Sequence, residues 1–181
     1  NLYTYQWSHP GKKLNFMGNE IAQIREFDEN KENDWSLLEY PIHQAFHKFI
    51  QELNQLVTTN EAFYKVDNSW DGFKWIDVDN KIDNIFIYQR MSGENKYIIV
   101  LNFSNKLYKA FRMGVEKNSI VKEVLNSDSN SFFGSNIMNE EALFTKKISY
   151  NHLNYSVEFD IAPFSGIVFE VNELKRKKIN A

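Results

Sequence analysis

His9-Pro10-Gly11-Lys12-Lys13-Leu14-Asn15-Phe16-Met17-Gly18-Asn19-Glu20 is the hinge of this chain. Pro10-Gly11 ends a helix, because proline lacks the N–H the helical ladder needs and glycine accepts the turn that follows. Leu14 to Met17 then read as a short buried strand, and Gly18-Asn19-Glu20 as the turn off its carboxyl end. A helix, a buried strand, a polar loop and a second helix form one step of a parallel α/β fold. One such step cannot bury both its faces, so the pattern predicts that the chain starts inside a larger protein.

Outward from the hinge, residues 1–8 read as the last turns of a helix. Leu2, Tyr5 and His9 share one face, and Tyr3 and Trp7 another, as expected for a helix packed between neighbours. Beyond it, Ile21 to Tyr40 reads as a long charged loop holding Arg25, Glu26, Asp28, Glu29, Glu32 and Asp34. A loop at the carboxyl end of a parallel strand lies where α/β folds build their active sites. Pro41 suits the first position of the next helix. Ile42, Ala45, Phe46, Phe49, Ile50, Leu53, Leu56 and Val57 then recur at helical spacing. Thr58-Thr59-Asn60 ends that helix, and Asn60 is placed to cap a further turn through Phe63 and Tyr64.

From Phe73 onward the period changes from 3.6 to 2. Strands are predicted at 73–78, 85–91, 97–103, 107–113, 120–125, 143–148, 153–161 and 166–171. The cleanest alternation sets Leu153, Tyr155, Val157, Phe159 and Ile161 inward against Asn154, Ser156, Glu158 and Asp160. The expected fold is mainly β: an antiparallel sandwich of about eight strands preceded by a helix-strand-loop-helix segment. The boundary falls between Phe63 and Gly72. Leu174 to Ala181, with Lys175-Arg176-Lys177-Lys178, reads as a solvated tail.

Composition bounds the chemistry. The 181 residues carry a net charge of −3, which predicts no general attraction to nucleic acid or to an anionic membrane. With no cysteine there is neither a disulfide framework nor a thiolate nucleophile. No signal-like segment opens the chain, which predicts a cytoplasmic protein; the sequons at Asn102 and Asn154 are read as chance. No cofactor is expected, because the seven glycines form no phosphate-cradling loop and no Gly-x-Ser-x-Gly elbow occurs.

His43 and His47, four apart on a helix, could face one metal, but no adjacent Glu and no third ligand follow. They read as two helix-surface histidines, with no metal site. The carboxylates from Glu20 to Asp34 read as a solvated loop, since a glycosidase pair needs a separation that sequence cannot supply. Aromatics reach 15%, mostly for the core; Trp70 and Trp75 are candidates to stack on sugar rings.

The run His9-Pro10-Gly11-Lys12-Lys13-Leu14 followed by Phe16-Met17-Gly18-Asn19-Glu20 resembles the passage into the last barrel strand of bacterial 1,4-α-glucan branching enzymes, members of the α-amylase family. The resemblance continues through Gln23, Arg25-Glu26, Asp34-Trp35 and Tyr40-Pro41, then Gly72-Phe73 with Trp75-Ile76. It ends in Glu123-Val124-Leu125-Asn126-Ser127-Asp128, Gly134-Ser135-Asn136 and Pro163 with Gly166. It implies that residues 1–62 end a (β/α)8 barrel, that 63–173 form an all-β C-terminal domain, and that 174–181 trail from it.

The resemblance also implies an enzyme that cuts α-1,4-glucan and transfers the segment to a 6-hydroxyl through a retaining double displacement. Its nucleophile and acid lie on earlier barrel strands, and no position here matches them, so no catalytic residue is assigned. Asn19, Glu20, Gln23 and Arg25 fall on the rim of the active-site cleft. The implied partners are α-1,4-glucan or glycogen and the remainder of the barrel, with self-association of the isolated piece as the alternative to burying its helices on its own sandwich. This chain has Ile21-Ala22-Gln23 where the family usually has Phe-Gly-Gln, and Phe27 where it usually has Trp. Two other classes stay open: a stand-alone carbohydrate-binding or interaction module, and a debranching or trehalose-forming relative.

Overall fold

A computed structural model describes residues 1–139 and 142–175. Two helices, α1 (Leu2–Ser8) and α2 (Pro41–Thr59), precede eight strands. The strands are β1 (Phe73–Asp77), β2 (Ile85–Ser92), β3 (Asn95–Asn102), β4 (Tyr108–Val115), β5 (Ser119–Asn126), β6 (Leu143–Phe144), β7 (Tyr155–Ile161) and β8 (Gly166–Glu173). They form an antiparallel six-stranded sheet in the order β1-β2-β3-β8-β5-β6, faced by the pair β4-β7. The expected mainly β architecture is therefore present, with all eight predicted strands in place.

The central strands are buried on both faces, which is why Ile98-Ile99-Val100-Leu101 reads as a continuous apolar run rather than an alternation. One face carries Ile85, Ile87, Ile98, Val100 and Phe169, packed against Met113 of β4 and Val157 and Phe159 of β7. The other carries Tyr88, Ile99, Leu101 and Val168, packed against Trp7 of α1 and Phe49, Ile50 and Leu53 of α2. From Phe46 to Val57 the apolar stripe of α2 is thus covered by the same chain, while Ile42 stays 59% exposed. Three layers result: helices, large sheet, small sheet.

Two predicted elements differ. Leu14 to Met17 is not a strand: it runs as irregular backbone, with Leu14 70% and Met17 51% exposed. A strand needs neighbouring strands for its N–H and C=O groups, and among the described residues none lies beside it. The β6 segment forms ladder only at Leu143–Phe144, against β5, and then Lys146 bridges Ser156 of β7. It passes from one sheet to the other, so no single ladder spans 143–148. The loop from Ile21 to Tyr40 contains a single-turn helix, Trp35–Glu39. Of the expected tail, Leu174 and Lys175 follow β8, and Lys175 pairs with Glu94 at 2.8 Å; the rest lies outside the described residues.

The stretch between α2 and β1 is not a loose linker. It holds two single-turn helices, Glu61–Phe63 and Trp70–Gly72, with Ala62 and Phe63 in the core. Arg90 of β2 closes over it with a fully buried guanidinium. Its nitrogens donate to the carbonyls of Gly72 (3.2 Å), Ser8 (2.7 Å) and Phe63 (3.1 Å), and to Asp67 Oδ1 (2.6 Å). Tyr88 reaches the Ser8 hydroxyl at 2.6 Å, and burial pushes its phenol well up from the usual range.

The Asn126–Asn136 loop is built around Asp128, whose carboxylate accepts from the N–H groups of Ser135 (3.0 Å) and Ile137 (2.9 Å). Gly134 is needed because any Cβ there would overlap the Asp128 carbonyl. The loop presents Phe132 to Phe49 of α2, with ring centroids 5.2 Å apart. The Leu125–Asp128 and Gly134–Asn136 signatures therefore act in packing: they clamp the second helix to the sheet.

Candidate functional site: a rim turn and an aromatic cleft

The first candidate region is the turn that ends the hinge. Gly18 takes φ +85°, and a Cβ there would press on the Gln23 side chain, so only glycine fits. The single-turn helix Asn19–Ile21 follows, and Ala22 returns the chain at φ 52°. Ile21 is completely buried, which fixes the turn against α2. His43 Nδ1–H donates to the Ile21 carbonyl at 2.7 Å, and His47 Nδ1–H to that of Glu20 at 3.1 Å. The Nε2 of His47 accepts from Gln51 at 3.1 Å, which sets its tautomer. The spacing of the two histidines serves to hold this turn.

Among the four sequence-derived rim residues, the structure divides the work. Gln23 Oε1 accepts from the Asp34 N–H at 2.8 Å, and its amide donates to the Arg25 carbonyl at 3.2 Å. Arg25 forks onto the Asp34 carboxylate, with the shortest contact 2.9 Å, and reaches the Glu32 carbonyl at 2.6 Å. The Arg25 guanidinium holds the Asp34 carboxyl below the usual carboxylate range. These two side chains close the Ile21–Tyr40 loop on itself. Asn19 is exposed, and Glu20 is held only by the Asn15 amide, 2.9 Å from Oε2. Asn19 and Glu20 are the ones presented outward.

The second region was only partly legible. Trp70 and Trp75 line one cleft of about 400 Å³, with His9, Pro10, Asp67 and Phe73. Trp70 is 85% exposed and Trp75 37%. His9, read from sequence as one helix face, sits against the rings of Tyr5 (4.9 Å), Phe73 (5.2 Å) and Trp75 (6.4 Å). Burial pushes its imidazole down, toward the neutral form. Asp67 gave no signal, because it lies in an aperiodic stretch and its role is set by distant partners. Its Oδ1 meets Arg90 at 2.6 Å and its Oδ2 accepts from the Gly11 N–H at 2.9 Å.

Comparison with known proteins places this geometry. The family described as "Alpha amylase, C-terminal all-beta domain" matches residues 75–172. Among curated proteins, the chain is 34% identical over 98% of its length to the 1,4-alpha-glucan branching enzyme GlgB of Oceanobacillus iheyensis, covering 28% of that protein. It is 36% identical over 94% of its length to the protein of that name from Nitrosococcus oceani, covering 23% of it. The chain thus spans about a quarter of the length of these relatives. Among solved structures, it resembles a Nostoc punctiforme debranching enzyme (TM-score 0.63, 14% identity, 92% of this chain and 29% of that one). An Anoxybacillus α-amylase gives a TM-score of 0.59 at 14% identity, over 96% of this chain and 32% of that one.

Proposed function

Because the chain belongs to the α-amylase C-terminal all-β domain family, we propose that it works as the C-terminal part of a cytoplasmic 1,4-α-glucan branching enzyme. The whole enzyme would cut α-1,4-glucan and rejoin the segment to a 6-hydroxyl, as glycogen synthesis requires. The carrying observation is the extent of the likeness. The Oceanobacillus iheyensis branching enzyme matches 98% of the chain, so the likeness covers the helical segment as well as the strands. Residues 1–62 would close the barrel and 63–173 would brace it.

In this reading the bond chemistry belongs to carboxylates outside this chain. Asn19 and Glu20 orient sugar or neighbouring loops at the cleft rim, while Gln23 and Arg25 keep that rim in shape. Trp70 and Trp75 stack on glucan rings.

The test is a chimera. Alone, the 181-residue chain should leave the iodine spectrum of amylose unchanged. Substituted for the matching segment of the Oceanobacillus iheyensis enzyme, it should support branching. Within the chimera, Glu20→Gln should lower kcat/KM about tenfold, the worth of one charge-assisted hydrogen bond. A folded chimera without branching activity would overturn the assignment; branching by the chain alone would overturn the placement of the chemistry.

The remaining barrel would cover the apolar surface that the rim segment leaves open. Leu14, Phe16, Met17 and Ile24 are all exposed there, with Ile24 at 85%. Single exposed apolar residues are ordinary, but a cluster on one segment favours association. The isolated chain should therefore show a concentration-dependent mass by light scattering, reduced when Leu14 and Ile24 are both replaced by Ser. A constant monomer mass across concentrations would count against a covered surface.

A further inference from the structure

Asp67, which lines the Trp70–Trp75 cleft, also lines a second cleft of about 380 Å³, together with Gly11, Lys12, Lys13, Thr58 and Tyr64. The hinge residues from His9 to Lys13 form one wall across both clefts, and the stretch from Tyr64 to Trp70 forms the other. Tyr64 is 52% exposed, so three large aromatic side chains stand open to solvent along one track: Tyr64, Trp70 and Trp75.

The chemistry of the walls narrows the occupant. Asp67 has both carboxylate oxygens engaged, by Arg90 and the Gly11 N–H, and Lys13 Nζ donates to the His9 carbonyl. What remains outward is the Lys12 ammonium and the Asn68 amide, both exposed, beside the aromatic faces. One free cation and one amide do not build a site for a polyanion. A neutral polyol with apolar ring faces and hydroxyl edges satisfies both the rings and the donors.

The track is remote from the rim. The Asn19–Ile21 turn leans on His43 and His47, whereas the second cleft abuts Val57 and Thr58 at the far end of α2. Ten helical residues separate His47 from Val57, roughly 15 Å along the axis. The second cleft and the rim turn thus lean on opposite ends of α2.

We infer that the paired clefts meeting at Asp67 form one extended groove that holds several consecutive units of an α-1,4-glucan chain, with Tyr64 at one end and Trp70 and Trp75 at the other, as an anchoring site apart from the cleft rim. The inference rests on the α-glucan reading above, and goes beyond it by making the site a multi-unit track rather than a single stacking platform.

The test uses the 181-residue chain, titrated calorimetrically and by tryptophan fluorescence with maltotriose, maltoheptaose and, as a control, cellohexaose. Maltoheptaose should bind about tenfold tighter than maltotriose, the gain expected from one further stacked ring. Tyr64→Ala should remove that gain and leave maltotriose unchanged, with the near-ultraviolet circular dichroism retained. Trp70→Ala should abolish the quench by both. Equal affinity for the two maltooligosaccharides, or no effect of Tyr64→Ala, overturns the groove and leaves only a local site at the tryptophans. No response to either maltooligosaccharide, or an equal response to cellohexaose, overturns the α-glucan reading itself.

Discussion

Replacing Arg90 with methionine should lower the unfolding free energy by about 3–5 kcal/mol, the usual cost of removing one partner of a buried ion pair. The guanidinium is fully buried and feeds four acceptors from two separate stretches: Ser8 of α1, and Phe63, Asp67 and Gly72 between α2 and β1. Methionine fills comparable space but donates to none of them. Three carbonyls and a carboxylate would lose their partner where water has poor access, which outweighs the ease of burying a thioether. In a chain of this size the melting temperature should fall by roughly 10 °C. Arg90→Lys should recover only part of the loss, because one ammonium has three donors at a single point and cannot span the fork. Urea titrations of both variants, and of Asp67→Asn in a double-mutant cycle, measure this. A loss under 1 kcal/mol for the methionine variant would show that the network contributes specificity rather than stability.

Trp7→Ala should cost a similar amount, about 3–5 kcal/mol, for a different reason. A helix of seven residues does not persist on its own propensity, so α1 exists because its side chains are held. Trp7 is 2% exposed in the helix-side core, its indole N–H donates to Asn54 Oδ1 at 2.6 Å, and Tyr3 packs edge-on at 5.6 Å. Truncation opens a cavity between α1, α2 and the sheet and removes the hydrogen bond to Asn54, an exposed residue that water can serve instead. Trp7→Phe keeps most of the ring and loses the donor, so it should cost about 1–2 kcal/mol. Equal losses for Ala and Phe in urea unfolding would mean that the hydrogen bond, not the packing, anchors the helix. The two sites are not independent: Ser8, next to Trp7, supplies one of the Arg90 acceptors, so the double variant should lose less than the sum.

Much of the architecture was legible because period reports face. The Leu153–Ile161 alternation marks a strand buried on one side, and the Ile42–Val57 stripe marks the side of α2 that meets the sheet. Period does not report which neighbour an element finds. Nothing local in Gly166–Glu173 says that β8 inserts between β3 and β5, and nothing in 143–148 says that the segment changes sheets. Leu14 to Met17 has a strand's composition without a strand's partners, so it stays irregular. At the site, Trp70 and Trp75 could be picked by residue type. The work of Gln23 and Arg25 inside the loop, and the place of Asp67 between two clefts, depend on contacts nine to fifty-six residues away in sequence.

The buried stretch between α2 and β1 has a consequence for how such chains can be recombined. The border expected near residue 62 cuts through shared contacts: Phe63 and Arg90 on one side meet Ser8 and Leu53 on the other. A genetic crossover placed at that border would hand the strands of one parent a helix cover from another, and every mismatched volume would fall in the centre of a common core. Parents exchanged instead upstream of α1 keep the helix cover and the sheet as one inherited unit. Native-state hydrogen exchange should accordingly find the helix cover and the sheet opening together, because they share one core.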